Sequence, residues 1–189
     1  MPSNKSVERA FVLVQGDASK TVGFGIGGRE IEGNGAYVAK AEAQSPPTLS
    51  FAAALPNKTY LVIALDLDAP FTFWSGLGPI LHWIQPGLPV GETNPGRLEI
   101  DPGSPFIANY IGPAPPPLGG PHRYVFFLYE QPGSDEGENA NEFDDKRRQA
   151  TPKDGKTMGN GARMWASLDE WEAKLGLGEV VAMGWFRSN

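Results

Sequence analysis

Two histidines, two acids and a tyrosine carry most of the chemistry this chain can do. The only histidines are His82 and His122. Each stands in a run that reads as a strand: ILHWIQ at 80–85 and RYVFFLYE at 123–130, which His122 introduces. Asp66 and Asp68 close the apolar run TYLVIALDL at 59–67. A strand alternates its side chains, so Asp66 and Asp68 share one face, and His122 and Tyr124 share one face. Carboxylates at the end of a buried strand need partners. Taken singly, each of these groups is more often a satisfied structural polar residue. Together they describe a pocket with two kinds of chemistry. An imidazole beside a carboxylate is cationic near neutral pH and attracts an acidic ligand. Two imidazoles, a carboxylate and a phenol can also move protons around an enolisable acid or anhydride. In that case His122, fixed behind a rigid loop, is the proton-transferring group, and Asp66 or Asp68 orients His82. No activated Ser or Cys accompanies them, which disfavours covalent acyl chemistry. A metal held by His82, His122 and Asp66 is less expected than a carboxylate that orients a histidine.

The elements that must position these groups are legible around residues 104–131, SPFIANYIGPAPPPLGGPHRYVFFLYEQ. Residues 112–121 form a loop with five prolines and no charge. Each proline ring fixes φ and removes a donor, so the N–H groups of Gly112, Ala114, Leu118, Gly119 and Gly120 are the ones left to aim. Residues 59–67 are apolar on both faces and predict a central strand. Further strands are expected at 8–15 (ERAFVLVQ), 47–51, 80–85 and 180–186. Gly23, Gly25 and Gly28 formally satisfy a GxGxxG phosphate loop, but no helix can follow through Gly33 and Gly35, so strands and tight turns are expected there. Residues 132–161 hold dense charge and read as an exposed excursion with one short helix near 141–149. Ser167 caps a later helix, with Asp169 and Glu170 in its first turn and Gly176 as its stop. Many strands, two late helices and no βαβ alternation predict a mainly β chain of one domain, 1–189.

Composition narrows the function classes. The 189 residues carry a net charge of −6 and no cysteine. No basic cluster supports nucleic-acid binding, and thiol chemistry is excluded. No apolar run is long enough to span a membrane, so no integral membrane association and a cytoplasmic location are expected. The stretch after Pro70 is apolar. Phe71, Phe73, Trp74, Leu77 and Ile80 are expected to line a ligand site, pack in the core or contact another subunit.

LVIALDLDAP, ILHWIQ, NYIGPAPPPLGGPHRYVFFLYEQ and SLDEWEAKLGLGEVVAMGWF together resemble the phosphatidylethanolamine-binding protein family, over residues 11–186, in the manner of a fungal-type member. The resemblance implies a large antiparallel sheet packed on a smaller one, with short peripheral helices and an anion-binding pocket at one end. It places Asp66, His82, Gly112, Ala114, Pro116, His122 and Tyr124 at that pocket, supported by Asp68 and Tyr110, with Phe73 and Trp74 at its lip. The implied partner is a small phosphorylated or carboxylated, partly apolar ligand; a protein partner or homodimer stays open. No metal and no cofactor are implied. Some relatives resemble enzymes recruited to fungal natural-product assembly, so a cyclising or dimerising activity on a polyketide-derived acid or anhydride, carried by His122, His82, Asp66 and Tyr124, is the alternative. The chain departs from the family where Leu67 replaces a proline and Ala114 a glycine. With the apolar 71–80 stretch and a short C-terminal end, these departures predict a wider, greasier site.

Overall fold

Every position from Tyr60 to Leu65 is buried because the strand they form is covered on both sides. In this computed structural model, which describes residues 4–31, 34–74, 76–94, 96–100, 105–133, 138–153 and 156–189, nine strands and three α-helices are present. They are α1 (Lys5–Gly16), β1 (Gly23–Ile26), β2 (Arg29–Ile31), β3 (Ala36–Tyr37), β4 (Thr48–Ser50), β5 (Thr59–Asp66), β6 (Ile80–Pro89), β7 (Arg97–Leu98), β8 (His122–Glu130), α2 (Glu138–Ala150), α3 (Leu168–Leu175) and β9 (Ala182–Ser188).

The large sheet runs β3-β9-β8-β5-β6, and the small one β2-β1-β4-β7. All pairs are antiparallel except β3 with β9. Side-chain alternation on β5 and β8 separates two cores. Tyr60, Val62, Ala64, Tyr124, Phe126 and Leu128 face the small sheet. Leu61, Ile63, Leu65, Val125, Phe127 and Tyr129 face the helices. Such two-sided burial is why these strands read as unbroken apolar runs. Gly184 of β9 is required by contact: a Cβ there would run into the Val22 carbonyl and the Phe24 ring. The GxGxxG stretch is the β1–β2 hairpin, turning through Gly27 and Gly28.

Residues 8–15 are not a strand but the body of α1. Val7, Ala10, Phe11 and Val14 recur at helical spacing and pack in the helix-side core. The β-branched content of FVLVQ is overridden by docking. The starts of α1 and α3 also cap each other. Asp169 accepts the Lys5 and Ser6 N–H groups at 3.0 and 2.8 Å, and Asn4 Oδ1 accepts the Leu168 N–H at 2.6 Å. Ser167 Oγ accepts the Glu170 N–H at 3.2 Å, and Gly176 ends α3 in the left-handed region at φ 66°. Replacing Asp169 with Ala is expected to cost about 1–2 kcal/mol of unfolding free energy in urea. A loss within a few tenths would contradict the mutual cap.

The described residues of the charged stretch after Pro132 are exposed or half-buried, except that Phe143 and Ala150 of α2 are buried in the helix-side core. Its far end, a 3-10 turn at Asn160–Arg163, returns to the sheet.

Candidate functional site

Where β5 ends beside the start of β8, Asp66 is paired with Tyr124 in the ladder. Here the chain encloses a cavity of about 300 Å³. Its inner wall holds Asp66, His82, His122 and Arg163; Gly112, Ala114, Pro115 and Pro116 of the rigid loop form one side, and Leu77, Ile80, Ile111 and Met164 supply apolar surface.

His122 opens β8 and is 1% exposed. Its Nδ1–H donates to Asp66 Oδ2 at 2.8 Å. Its Nε2 is buried without a well-formed hydrogen bond. Burial opposes the imidazolium, but the hydrogen bond and charge of Asp66, aided by Asp68 and the Pro70 carbonyl, raise its pKa above the ordinary histidine value. His82 behaves oppositely. Its Nδ1–H donates to the Ile111 carbonyl at 2.7 Å, and burial, stronger than that bond and the Asp66 charge, lowers its pKa. The two imidazoles are therefore unequal: His122 favours a charge and His82 stays neutral. The His82 ring meets Tyr124 edge-on at 5.0 Å. Burial, reinforced by Asp66, pushes the Tyr124 phenol up, so it remains a neutral donor whose buried hydroxyl lacks a well-formed partner.

Asp66, His82 and His122 thus line one cavity with Gly112, Ala114 and Pro116. Five expected residues do not. Tyr124 stands behind the wall, its ring against His82 and in the core that faces the small sheet. Asp68 does not share a face with Asp66, because β5 stops at Asp66 and the Asp68 N–H donates to Asp66 Oδ1 at 2.9 Å, turning the chain. Its carboxylate instead takes Arg123 Nε and Nη2 at 2.9 and 2.6 Å. Burial would raise its pKa, but Arg123 outweighs that and holds it below the usual carboxylate range. Neither acid orients His82; the Ile111 carbonyl does. Tyr110 turns away to donate to the Ala43 carbonyl at 2.9 Å. Phe73 and Trp74 lie outside the cavity, 80% and 57% exposed, which also rules out a core role for them. Within the loop, the Gly119 N–H is spent on the Pro116 carbonyl at 3.0 Å.

Arg163 is the residue that sequence reading missed. It is 1% exposed, and its guanidinium donates to the carbonyls of Met158, Leu81, His82 and Asn109 and to Asn109 Oδ1. Among the described residues no carboxylate pairs with it. Burial lowers its pKa, yet a guanidinium stays charged. It therefore fastens the 158–163 turn to the start of β6 and leaves a positive charge in the wall beside His82. The available signal was a single arginine in the otherwise uncharged run MGNGARMW. Among the described residues no group of three or more His, Asp or Glu is arranged to hold a metal ion. No helix of the described residues is long and apolar enough to cross a membrane.

Two facing sheets, helices on the outer face and a small cavity at the strand ends define a β protein built around one ligand-sized recess. A model of the phosphatidylethanolamine-binding protein family matches residues 25–183, and the chain belongs to that family. It is 37% identical over 132 residues to phomoidride biosynthesis cluster protein N of Talaromyces stipitatus, covering 67% of this chain and 57% of that protein. The chain spans about half the length of the curated relatives it matches. Among solved structures it resembles carboxypeptidase Y inhibitor complexed with its cognate proteinase, with a TM-score of 0.66 at 19% identity over 98% of this chain and 93% of that one. It also resembles the phosphatidylethanolamine-binding protein from Plasmodium vivax, with a TM-score of 0.63 at 17% identity over 100% and 97%. These two likenesses concern the fold.

Proposed function

We propose that the cavity binds a small anion, a carboxylate or phosphate group borne by a partly apolar molecule. One observation carries this reading: His122 has its Nδ1–H committed to Asp66 and its Nε2 at a cavity with no well-formed hydrogen bond, only the Pro70 carbonyl standing near. A buried imidazole favoured in its charged form is best served by a well-aligned acceptor there, and an anion supplies one. The buried Arg163 charge adds a favourable potential without spending itself on the ligand. Membership of a family described as phosphatidylethanolamine-binding supports a small-ligand role.

The test uses the fact that the chain has only two histidines. Titration with phosphate or succinate is expected to shift the His122 ring signals in NMR at millimolar anion, and to move those of His82 less. Two unmoved imidazoles would end the reading.

The Asp66–His122 pair also favours a second reading, a cofactor-independent proton-transfer enzyme. His122 Nε2 would take a proton from an enolisable acid or anhydride and Asp66 would stabilise the resulting imidazolium, with Tyr124 behind the wall supporting Asp66 and His82. Similarity to a biosynthesis cluster protein of a fungus supports asking for cyclisation or dimerisation of a polyketide-derived acid. A cytoplasmic location is proposed with it.

A further inference from the structure

The two sheets also part along one edge. β6 is the end strand of the large sheet and β7 the end strand of the small one. They are tied where the Glu99 N–H donates to the Pro89 carbonyl at 3.0 Å and the Gly91 N–H to the Arg97 carbonyl at 2.8 Å. Beside that tie lies a second cavity of about 280 Å³, nearly the volume of the first. Among the described residues none lines both.

This second cavity opens into the core between the sheets. Leu49, Trp83, Leu88 and Leu98 line it and belong to that core. Pro46 and Pro47 add a wall that has no N–H to offer. Ile100 also lines it and is 44% exposed, a large apolar side chain left outside the core.

One polar group in this apolar wall is unspent. Trp83 is 2% exposed and meets the Tyr110 ring edge-on at 5.8 Å, so its indole is held in place. A buried indole N–H ordinarily finds an acceptor. That of Trp83 makes no hydrogen bond with any described residue. Its nitrogen is also not one of the polar side-chain atoms sealed from solvent without a partner, which are His122 Nε2 and the hydroxyls of Tyr124 and Ser188. The sliver of Trp83 left open therefore includes this N–H, and the space it opens on is the cavity that Trp83 lines.

The rim is balanced in charge. Arg97 and Glu99 line the cavity, both exposed and opposite in sign, so neither an anion nor a cation is favoured. A charged ligand would also lose hydration against the apolar wall. We infer that this cavity is a second binding site, for a compact uncharged carbonyl compound such as a ketone, lactone or ester. Its oxygen accepts the Trp83 N–H, and its apolar body packs on Leu49, Leu88, Leu98 and Ile100. A volume at the lower end of ligand-pocket size sets the compactness. The site is independent of the anion reading, which concerns other residues.

The experiment uses isotope-labelled protein and NMR. The chain has five tryptophans, and Trp83→Phe identifies the indole N–H signal of residue 83 by its loss. Contacts from the indole proton to the Tyr110 ring identify it if that variant does not fold. The probes are cyclohexanone and δ-valerolactone, with cyclohexanecarboxylate and cyclohexylammonium as charged counterparts. The ketone and the lactone are expected to move the Trp83 signal saturably at millimolar concentration and to leave the His122 ring signals in place. The charged counterparts are expected to bind at least about tenfold more weakly. Trp83→Phe keeps an aromatic wall without the donor and is expected to bind the ketone about three- to tenfold more weakly. Ile100→Ser lies outside the core, so it is expected to melt as the parent does and to weaken the ketone roughly twofold to fivefold. A Trp83 signal that no probe moves overturns the inference. So does a charged counterpart that binds as tightly as the ketone, or ketone affinity unchanged in Ile100→Ser. His122 signals that move with the same midpoint place the ketone in the first cavity, which overturns the second site and leaves the anion reading standing.

Discussion

Replacing His122 with Gln is expected to weaken binding of a short carboxylate or of phosphate about 10- to 100-fold and to leave the chain folded. Gln keeps the approximate reach of the ring and an N–H for Asp66, but it cannot carry the charge presented at Nε2. The loss is that of one charge-assisted hydrogen bond, ~1.5–3 kcal/mol. His82→Gln should matter less for the charge, because His82 is held neutral by burial. If the pocket is catalytic, the same His122 change should cut turnover about 10²–10⁴-fold. Mass spectrometry of polyketide-derived acids or anhydrides incubated with the parent and the variant checks this. Equal conversion by both proteins removes His122 from the mechanism.

Arg163→Met is expected to produce the larger loss of stability, ~3–5 kcal/mol in urea unfolding. The variant takes this donor from the carbonyls of Leu81, Asn109 and Met158, while that of His82 keeps the Ile111 N–H at 2.9 Å. A stranded buried acceptor costs about 1–3 kcal/mol, and the three do not add fully. Arg163→Lys keeps the charge but cannot reach these separate acceptors, so it should recover only a minor part. A loss below ~1 kcal/mol for Arg163→Met would mean that the 158–163 turn is not fastened through this side chain.

Much of the fold could be read because burial on both faces leaves a pattern. TYLVIALD and RYVFFLYE are apolar without interruption and became the middle of the five-stranded sheet. Ser167 and Gly176 marked the ends of α3 because caps are local chemistry. The error at 8–15 has the opposite origin. A helix stabilised by docking on β9 and α3, and by a carboxylate some 160 positions away, shows little of this in its own propensities. At the site, the rigid loop and the two histidines were visible as residue types. Their division of labour was not, because it depends on which acceptor each Nδ1 meets: a carboxylate for His122, a carbonyl for His82. Strand parity failed for Asp68 because it was extended two residues beyond Asp66, where the ladder had already ended. Arg163 was hidden because its partners are backbone carbonyls, which leave no complementary acid in the sequence.

Calorimetric titration of hexanoate across pH 6 to 9, with the parent and His122→Gln side by side, addresses the central claim most directly. The ligand stays ionised throughout, so any pH dependence belongs to the protein. The His122 pKa is raised above its ordinary value of about 6.5, so the charged ring is present at the acid end and is lost as pH rises through the raised pKa. The account predicts parent affinity that is level at the acid end and then falls, up to about tenfold per pH unit, with proton uptake on binding above that pKa. It predicts a weak, level profile for His122→Gln. A parent profile that is level to pH 9, or one that the variant reproduces, would contradict the assignment of His122 as the cationic ligand of the anion.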